Sequence, residues 1–247
     1  MAQKFTFYPL GNAETSLLEL ENGSKLLFDY AAVNDGSSSD PHYDIKSELS
    51  AIKEFDVVMF SHPHDDHTKG ASEFFYLDHA QKYQSEDRAK IKELWVSSAF
   101  LLETDLKNQS DAKIIRNEAR HRLKEGYGIK VFASPDSLKD WLDDQDIDYD
   151  KVRNLIVHAG QLLELSNTLD EEMQVFVHAP FSDDSEVVDD KNTPSIVLQL
   201  RLFNGKQETN LLITGDTPYE VLDRIVEVSQ ENDNEGYLSW DIYDIPH

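Results

Sequence analysis

The 247-residue chain has no cysteine. That excludes disulfides and every thiolate metal site, so a transition metal can be held only through His, Asp or Glu. Basic residues are scarce as well: 23 Lys and Arg stand against 48 Asp and Glu, a formal net charge of −25. Such a surface repels phosphate backbones at long range. A nucleic-acid or nucleotide substrate would need local, metal-assisted contacts or a partner chain that supplies basic surface. Long apolar runs are missing, since no stretch reaches the roughly 20 residues a bilayer span needs, and mean hydropathy is −0.55. The start, MAQKFTFYPLGN, has no basic segment leading into an apolar one, so no secretory leader is expected. Together these predict a cytoplasmic chain with no membrane partner. Walker-type glycine loops, nucleophile elbows and basic-aromatic stripes are also absent. What remains is 39% hydrophobic residues, enough at this length to build a core.

Short apolar runs alternate with helical stretches, without repeats or low-complexity linkers. Residues 5–9 read as a strand. Ser16–Glu21 and Lys25–Asp29 flank Asn22-Gly23, a two-residue hairpin signal. Asp35–Asp40 is a polar loop, Ile45–Phe55 a short helix and Asp56–Phe60 (DVVMF) a buried strand. Residues 71–92 are helix-prone, and Leu94–Ser97 reads as a strand. Ser110 caps a helix to Glu125 with Gly126 in the C′ position, and Glu118 and Arg122 can pair on it. Lys130–Ala133 is a strand, and Ser134-Pro135 starts a helix to about Asp144. Leu155–His158, Leu162–Leu165 and Gln174–His178 follow as strands. Ser195–Phe203 and Asn210–Thr214 form a hairpin about Asn204-Gly205. Thr217, Pro218 and Glu220 make a capping box for a helix to about Gln230, and Trp240–Ile245 is the last strand. Two sheets packed face to face with helices outside satisfy this order.

The chemistry concentrates in Ser61-His62-Pro63-His64-Asp65-Asp66-His67, where three of the nine histidines fall within six residues. The segment follows a buried strand, so the loop is held on a rigid edge. Imidazole and carboxylate ligands suit Zn²⁺, Mn²⁺ or Fe²⁺. Alternate residues of an extended loop point the same way, so His62 and His64 can bind one ion while Asp66 and His67 turn toward a second. Gly215-Asp216 follows a strand, and a carboxylate at a strand end can bridge two cations about 3.5–4 Å apart. Gly-Asp is also ordinary turn chemistry, and the histidine cluster tips the reading toward a ligand. His42, His79 and His121 read as surface or interface residues, and His158 as structural.

The sequence resembles the metallo-β-lactamase-fold hydrolases, whose signature is HxHxDH after a strand. It is most similar to their branch containing the nuclease-like domain of bacterial DNA-uptake (competence) proteins. The segments that carry the resemblance, in order, are Gly11–Leu20 with Leu27–Tyr30 (LFDY), Phe60–Gly70 (FSHPHDDHTKG), Val175–Pro180 (VFVHAP), Thr193–Leu200 (TPSIVLQL), Leu211–Asp216 (LLITGD) and Asp241–His247 (DIYDIPH). The resemblance implies a single α+β domain over 1–247, a four-layer αββα sandwich with a variable helical insert at about 73–150. It implies one or two ions, Zn²⁺ or Mn²⁺, with His62 and His64 on the first, Asp66, His67 and His247 on the second, and Asp216 bridging. Asp66 would also orient the attacking water and so be the catalytic residue. Many members carry a further histidine where this chain reads His178-Ala179-Pro180-Phe181-Ser182-Asp183, and the expected position holds Ser182. His178 is a candidate substitute, behind its reading as a strand-end histidine without a ligand role. Asp183 and Asp184 are conceivable oxygen ligands, behind their reading as an acidic loop. The family normally continues past the last histidine. The resemblance therefore leaves a truncated chain, a missing last strand and helix, or one supplied by a partner.

Three functions are consistent with this reading. The first is a metal-dependent hydrolase of phosphodiester bonds, such as a nuclease, that uses a metal-activated water. The second is a hydrolase of a small ester, lactone, thioester or cyclic nucleotide, for which acidity is no obstacle. The third is a regulatory or scaffold subunit of a larger complex with a degenerate metal site.

Overall fold

A computed structural model describes residues 2–37, 39–186 and 190–245. His247, the expected ligand of the second ion, lies outside the described residues. The chain is mixed α+β with two sheets, as expected. Backbone contacts divide it into two compact units, Met1–Val96 with Glu103–Lys130 and Ser97–Leu102 with Val131–His247. Among the described residues, no helix is long and apolar enough to cross a membrane.

In the first unit, β1 (Lys4–Phe7), β2 (Ser16–Glu19) and β3 (Lys25–Phe28) form an antiparallel meander. The β2–β3 hairpin turns on Asn22-Gly23, where Gly23 has φ 90 and Asn22 Oδ1 accepts the Ser24 N–H at 2.8 Å. After α1 (Ile45–Leu49), β4 (Glu54–Phe60) joins parallel to β3, and β5 (Lys90–Ser97) joins parallel to β4. Parallel strands are covered on both faces and therefore read as near-continuous apolar runs. Phe28, Val58, Met59, Phe60, Leu94 and Trp95 are all fully buried.

The helix expected over Ile45–Phe55 ends at Leu49. Asp44 caps it by accepting the Ser47 N–H at 3.0 Å, and the chain then straightens because Phe55 pairs with Ile91 of β5. After α2 (Asp65–Thr68), the helix-prone stretch 71–92 likewise yields α3 (Ala71–Phe74) and a single 3-10 turn at Gln81–Tyr83. Phe74 and Phe75 are drawn onto Tyr30, with ring centroids 4.8 and 5.4 Å away, and Lys90 onward is taken by β5. Sheet pairing and aromatic packing override local helix propensity here.

The chain then forms α4 (Ser98–Leu102) of the second unit and returns to the first as α5 (Asp111–Glu125) before entering β6 (Ile129–Phe132). α5 is capped as expected. Ser110 accepts the Lys113 N–H at 3.3 Å, and Gly126 takes φ 79. Its first residue, Asp111, accepts the backbone N–H groups of Gly70 and Ser72 at 2.9 and 3.0 Å. α5 thereby pins the turn that leaves the histidine helix α2. Gly70 is needed in that turn: it has φ 81, and a Cβ added there would lie 2.8 Å from the Ala32 Cβ.

In the second unit, α6 (Asp136–Asp144) and α7 (Tyr149–Val152) precede β7 (Ile156–Val157), which pairs parallel with β6. After α8 (Asn167–Asp170), the strands β8 (Met173–Ala179), β9 (Val197–Asn204) and β10 (Gln207–Ile213) form an antiparallel meander. The β9–β10 turn falls on Gly205-Lys206, one residue later than expected, with the φ of 62 at Gly205 that a type II′ turn places first. Segment 160–163 runs along β8 without becoming a strand, held by the Leu162–Phe176 bridge. α9 (Tyr219–Glu231) follows β10, and β11 (Ile242–Tyr243) closes the sheet parallel to it. The expected capping box is replaced. The Thr217 hydroxyl donates to the Thr214 carbonyl at 2.7 Å instead of capping, and Pro218 precedes the helix.

Candidate metal centre

The histidine loop is built from the end of β4 outward. Residues leaving two parallel neighbours meet at their carboxyl ends, and so Asp29, just after β3, faces Ser61, just after β4. The Asp29 carboxylate is buried and takes φ 54, a left-handed conformation that aspartate tolerates better than most residues. Its Oδ1 accepts the Ser61 backbone N–H at 2.7 Å, and its Oδ2 accepts the Ser61 hydroxyl at 2.7 Å and pairs with His67 Nδ1 at 2.9 Å. Backbone bonds complete the frame: Tyr30 N–H to the His67 carbonyl at 3.1 Å, Ala32 N–H to Lys69 at 2.8 Å, and Glu14 N–H to Asp66 at 3.1 Å.

This frame fixes the histidine tautomers. A carboxylate only accepts, so His67 Nδ1 carries the proton and Nε2 the lone pair. Ser61 has one hydroxyl proton and gives it to Asp29. It must therefore accept from His62 Nδ1, 3.0 Å away, and His62 also keeps its lone pair on Nε2. That atom lies 2.9 Å from His64 Nδ1. The rings of His62 and His64 are 4.6 Å apart, and those of His62 and His67 are 4.1 Å apart. His62 and His67 are fully buried and His64 half-buried. A ligating histidine ordinarily hands its second ring N–H to a carboxylate or another oxygen that fixes its tautomer. Asp29 and Ser61 do this here, and imidazole donors of this kind fit Zn²⁺.

The sequence-expected residues are distributed as follows. His62, His64 and His67 come together in the first unit, and Asp66 lies half-buried in the first turn of α2. Asp216 lies in the second unit, half-buried in the turn from β10 to α9. His178 is occupied otherwise: its Nε2 donates to the Tyr237 carbonyl at 3.0 Å, so that nitrogen offers no lone pair. Burial pushes its pKa down to about 4, and its bonds to Tyr237 and Gln199 only partly oppose this. Asp183 and Asp184 are both paired with Arg224, at 2.9 and 2.8 Å, and the Ser182 hydroxyl accepts the Ser134 N–H at 3.2 Å. The sequence reading missed Asp29, and Ser61 as a partner of His62. For Asp29 a signal existed, because it ends the strand that parallel pairing places beside β4.

Asp29→Asn is expected to weaken Zn²⁺ binding by about 10–100-fold. Whichever way the amide is turned, its NH₂ meets a donor, either the Ser61 backbone N–H or the Ser61 hydroxyl and His67. Competition against a chromophoric chelator measures the change, and circular dichroism checks that the fold is retained.

No protein-family model matches the chain, and no curated protein matches it. Among solved structures, it is similar to a subclass B3 metallo-beta-lactamase of Bradyrhizobium japonicum, with 14% identity, a TM-score of 0.45, and coverage of 99% of this chain and 75% of that one. It is similar to the metallo-beta-lactamase GOB-18 from Elizabethkingia meningoseptica, with 15% identity, a TM-score of 0.42, and coverage of 96% and 72%. It is also similar to a class B3 di-zinc metallo-beta-lactamase from an Alaskan soil metagenome, with 12% identity, a TM-score of 0.40, and coverage of 98% and 75%.

Proposed function

We propose that this chain is a metal-dependent hydrolase and that its substrates are phosphodiesters. The observation that carries the metal reading is the 2.9 Å convergence of His62 Nε2 and His64 Nδ1, with the His62 tautomer set by Ser61 and Asp29. A divalent ion held there supplies Lewis acidity, enough to bring the pKa of water to about 7. His62, His64 and His67 would hold the ions, and Asp66, Asp216 and His247 would complete the ligand set, as the sequence resemblance implies. Asp66 would also orient the attacking water, as the resemblance implies. Asp29 and Ser61 keep the ring nitrogens in the binding tautomer throughout.

The net charge of −25 favours a second reading of the same centre, a hydrolase of a small ester, lactone, thioester or cyclic nucleotide. Such a substrate does not present a long polyanion to the surface. One panel separates the two. The full chain, loaded with Zn²⁺ or Mn²⁺, is assayed on bis(p-nitrophenyl) phosphate, single- and double-stranded DNA, a cyclic nucleotide, a lactone and a β-lactam, beside the Asp66→Ala variant. Turnover of bis(p-nitrophenyl) phosphate or DNA that the variant loses supports the first reading. Turnover confined to the lactone or the cyclic nucleotide supports the second, and equal turnover by both proteins removes both.

A further inference from the structure

We infer that a groove in the second unit, between α9 and the segment 238–243, docks an amphipathic helix of a partner protein whose flanks carry Lys and Arg. The floor of the groove is one face of the antiparallel sheet, at Val197 of β9 and Leu212 of β10. One wall is α9, through Leu222 and Val226, and the other holds Trp240 and Tyr243. Tyr243 of β11 pairs in register with Leu212, and residues opposite one another in a sheet share a face. The ring of Trp240 lies 5.5 Å from that of Tyr243. The groove has a volume of about 410 Å³.

The groove is apolar and open to solvent, with Val226 and Trp240 42% and 43% exposed. Of the eight exposed large hydrophobic residues among those described, five lie between Tyr219 and Ile245. A single exposed apolar side chain is ordinary, but a cluster of them marks an interaction surface. The charge around the groove selects the partner. Between Tyr219 and Ile245 there are eight Asp and Glu and one basic residue, Arg224, and Arg224 is already paired with Asp183 and Asp184. Tyr219, Asp223 and Val226 follow one another on α9 at spacings of four and three, which sets Asp223 on the side that carries the exposed apolar residues. Asp241 adjoins Trp240 on the other wall. A second copy of this chain brings its own charge of −25 and is repelled, whereas a basic segment is drawn in. A helix suits the shape because the floor is a sheet and one wall is already a helix. A second helix can lie beside α9 at the usual interaxial distance of about 8–10 Å, its apolar stripe in the groove and its Lys and Arg over the acidic rim.

The test uses the full chain and needs neither metal nor turnover. The probe is a fluorescein-labelled peptide of leucine and lysine, about four turns long, with its leucines at helical spacing. A second peptide has the same composition with the leucines dispersed. Binding is followed by fluorescence anisotropy at physiological salt. The wild type is expected to bind the first peptide at least about tenfold more tightly than the second, and Val226→Ser and Trp240→Ser each to weaken that binding by about tenfold. Both positions are exposed, and circular dichroism checks that the fold is kept. The double variant Asp223→Asn, Glu227→Gln leaves the groove itself intact and should lower the salt dependence of binding. Equal binding of the two peptides, or undiminished binding by the serine variants, marks a general attraction to the acidic surface and overturns the inference. Self-association of the wild type that Val226→Ser abolishes, seen by sedimentation, makes a second copy the occupant and overturns it as well.

Discussion

The double variant His62→Ala, His64→Ala is expected to lose hydrolytic activity by on the order of a thousandfold or more, because it removes both direct nitrogen donors of one ion. The two nitrogens stand 2.9 Å apart, and with both removed only the His67 ring of the cluster is left. Metal content by elemental analysis should fall with the activity. Stability gives an independent check. An ion that binds only the folded chain stabilises it by about 2.7 kcal/mol at a hundredfold excess over Kd. Thermal unfolding of the wild type should therefore move upward with added Zn²⁺, and that of the variant should move much less. His62 is fully buried, so the variant also carries a cavity cost in its metal-free state. The comparison is thus made within each protein, with and without ion. Wild-type metal content in the double variant would falsify the assignment of this pair.

The histidine cluster was legible because its chemistry is local. Five His and Asp residues within six positions after an apolar strand need no tertiary information to be noticed. The hairpin on Asn22-Gly23 and the Ser110 and Gly126 caps were legible for the same reason, since each is a short-range backbone rule. The errors came where distant pairing decides. Residues 50–55 carry a helical pattern, but β5 recruits Phe55 into a sheet. Thr217 has a good capping sequence, but the Thr214 carbonyl takes its hydroxyl. Asp29 was harder to read as a site residue, because parallel pairing sets it beside Ser61 across more than 30 positions, and its one signal was its place at the end of a strand. His79 is the plainest case. Its sequence surroundings read as surface, yet both its backbone N–H and its Nδ1 bond Glu118 at 2.9 Å.

That glutamate carries the second large expectation. Arg122→Met is expected to destabilise the chain by about 3–5 kcal/mol at pH 7, because it leaves a buried carboxylate without its cation. Arg122 Nε meets Glu118 Oε1 at 2.7 Å, with side-chain exposures of 3% and 0%. The same guanidinium donates to the Ile91 and Gly128 carbonyls at 3.1 and 2.9 Å, tying α5 to β5 and to the turn before β6. Methionine fills similar volume but satisfies none of these acceptors. The pH dependence has a definite sign. Burial alone would raise the Glu118 pKa, but His79 and Arg122 outweigh it and hold the value down to about 2. A depressed carboxylate contributes its full stability above its unfolded pKa, near 4.5, and loses it as pH falls toward the folded value. Without Arg122, the burial that raises the pKa is opposed by His79 alone, so the variant's Glu118 takes up a proton at higher pH and its penalty is relieved there. The stability gap between the two proteins should therefore be widest near neutrality and narrow below pH 4.5. Urea unfolding of both chains across that range measures the gap directly. A gap that stays constant with pH would place the loss in packing rather than in the Glu118 charge.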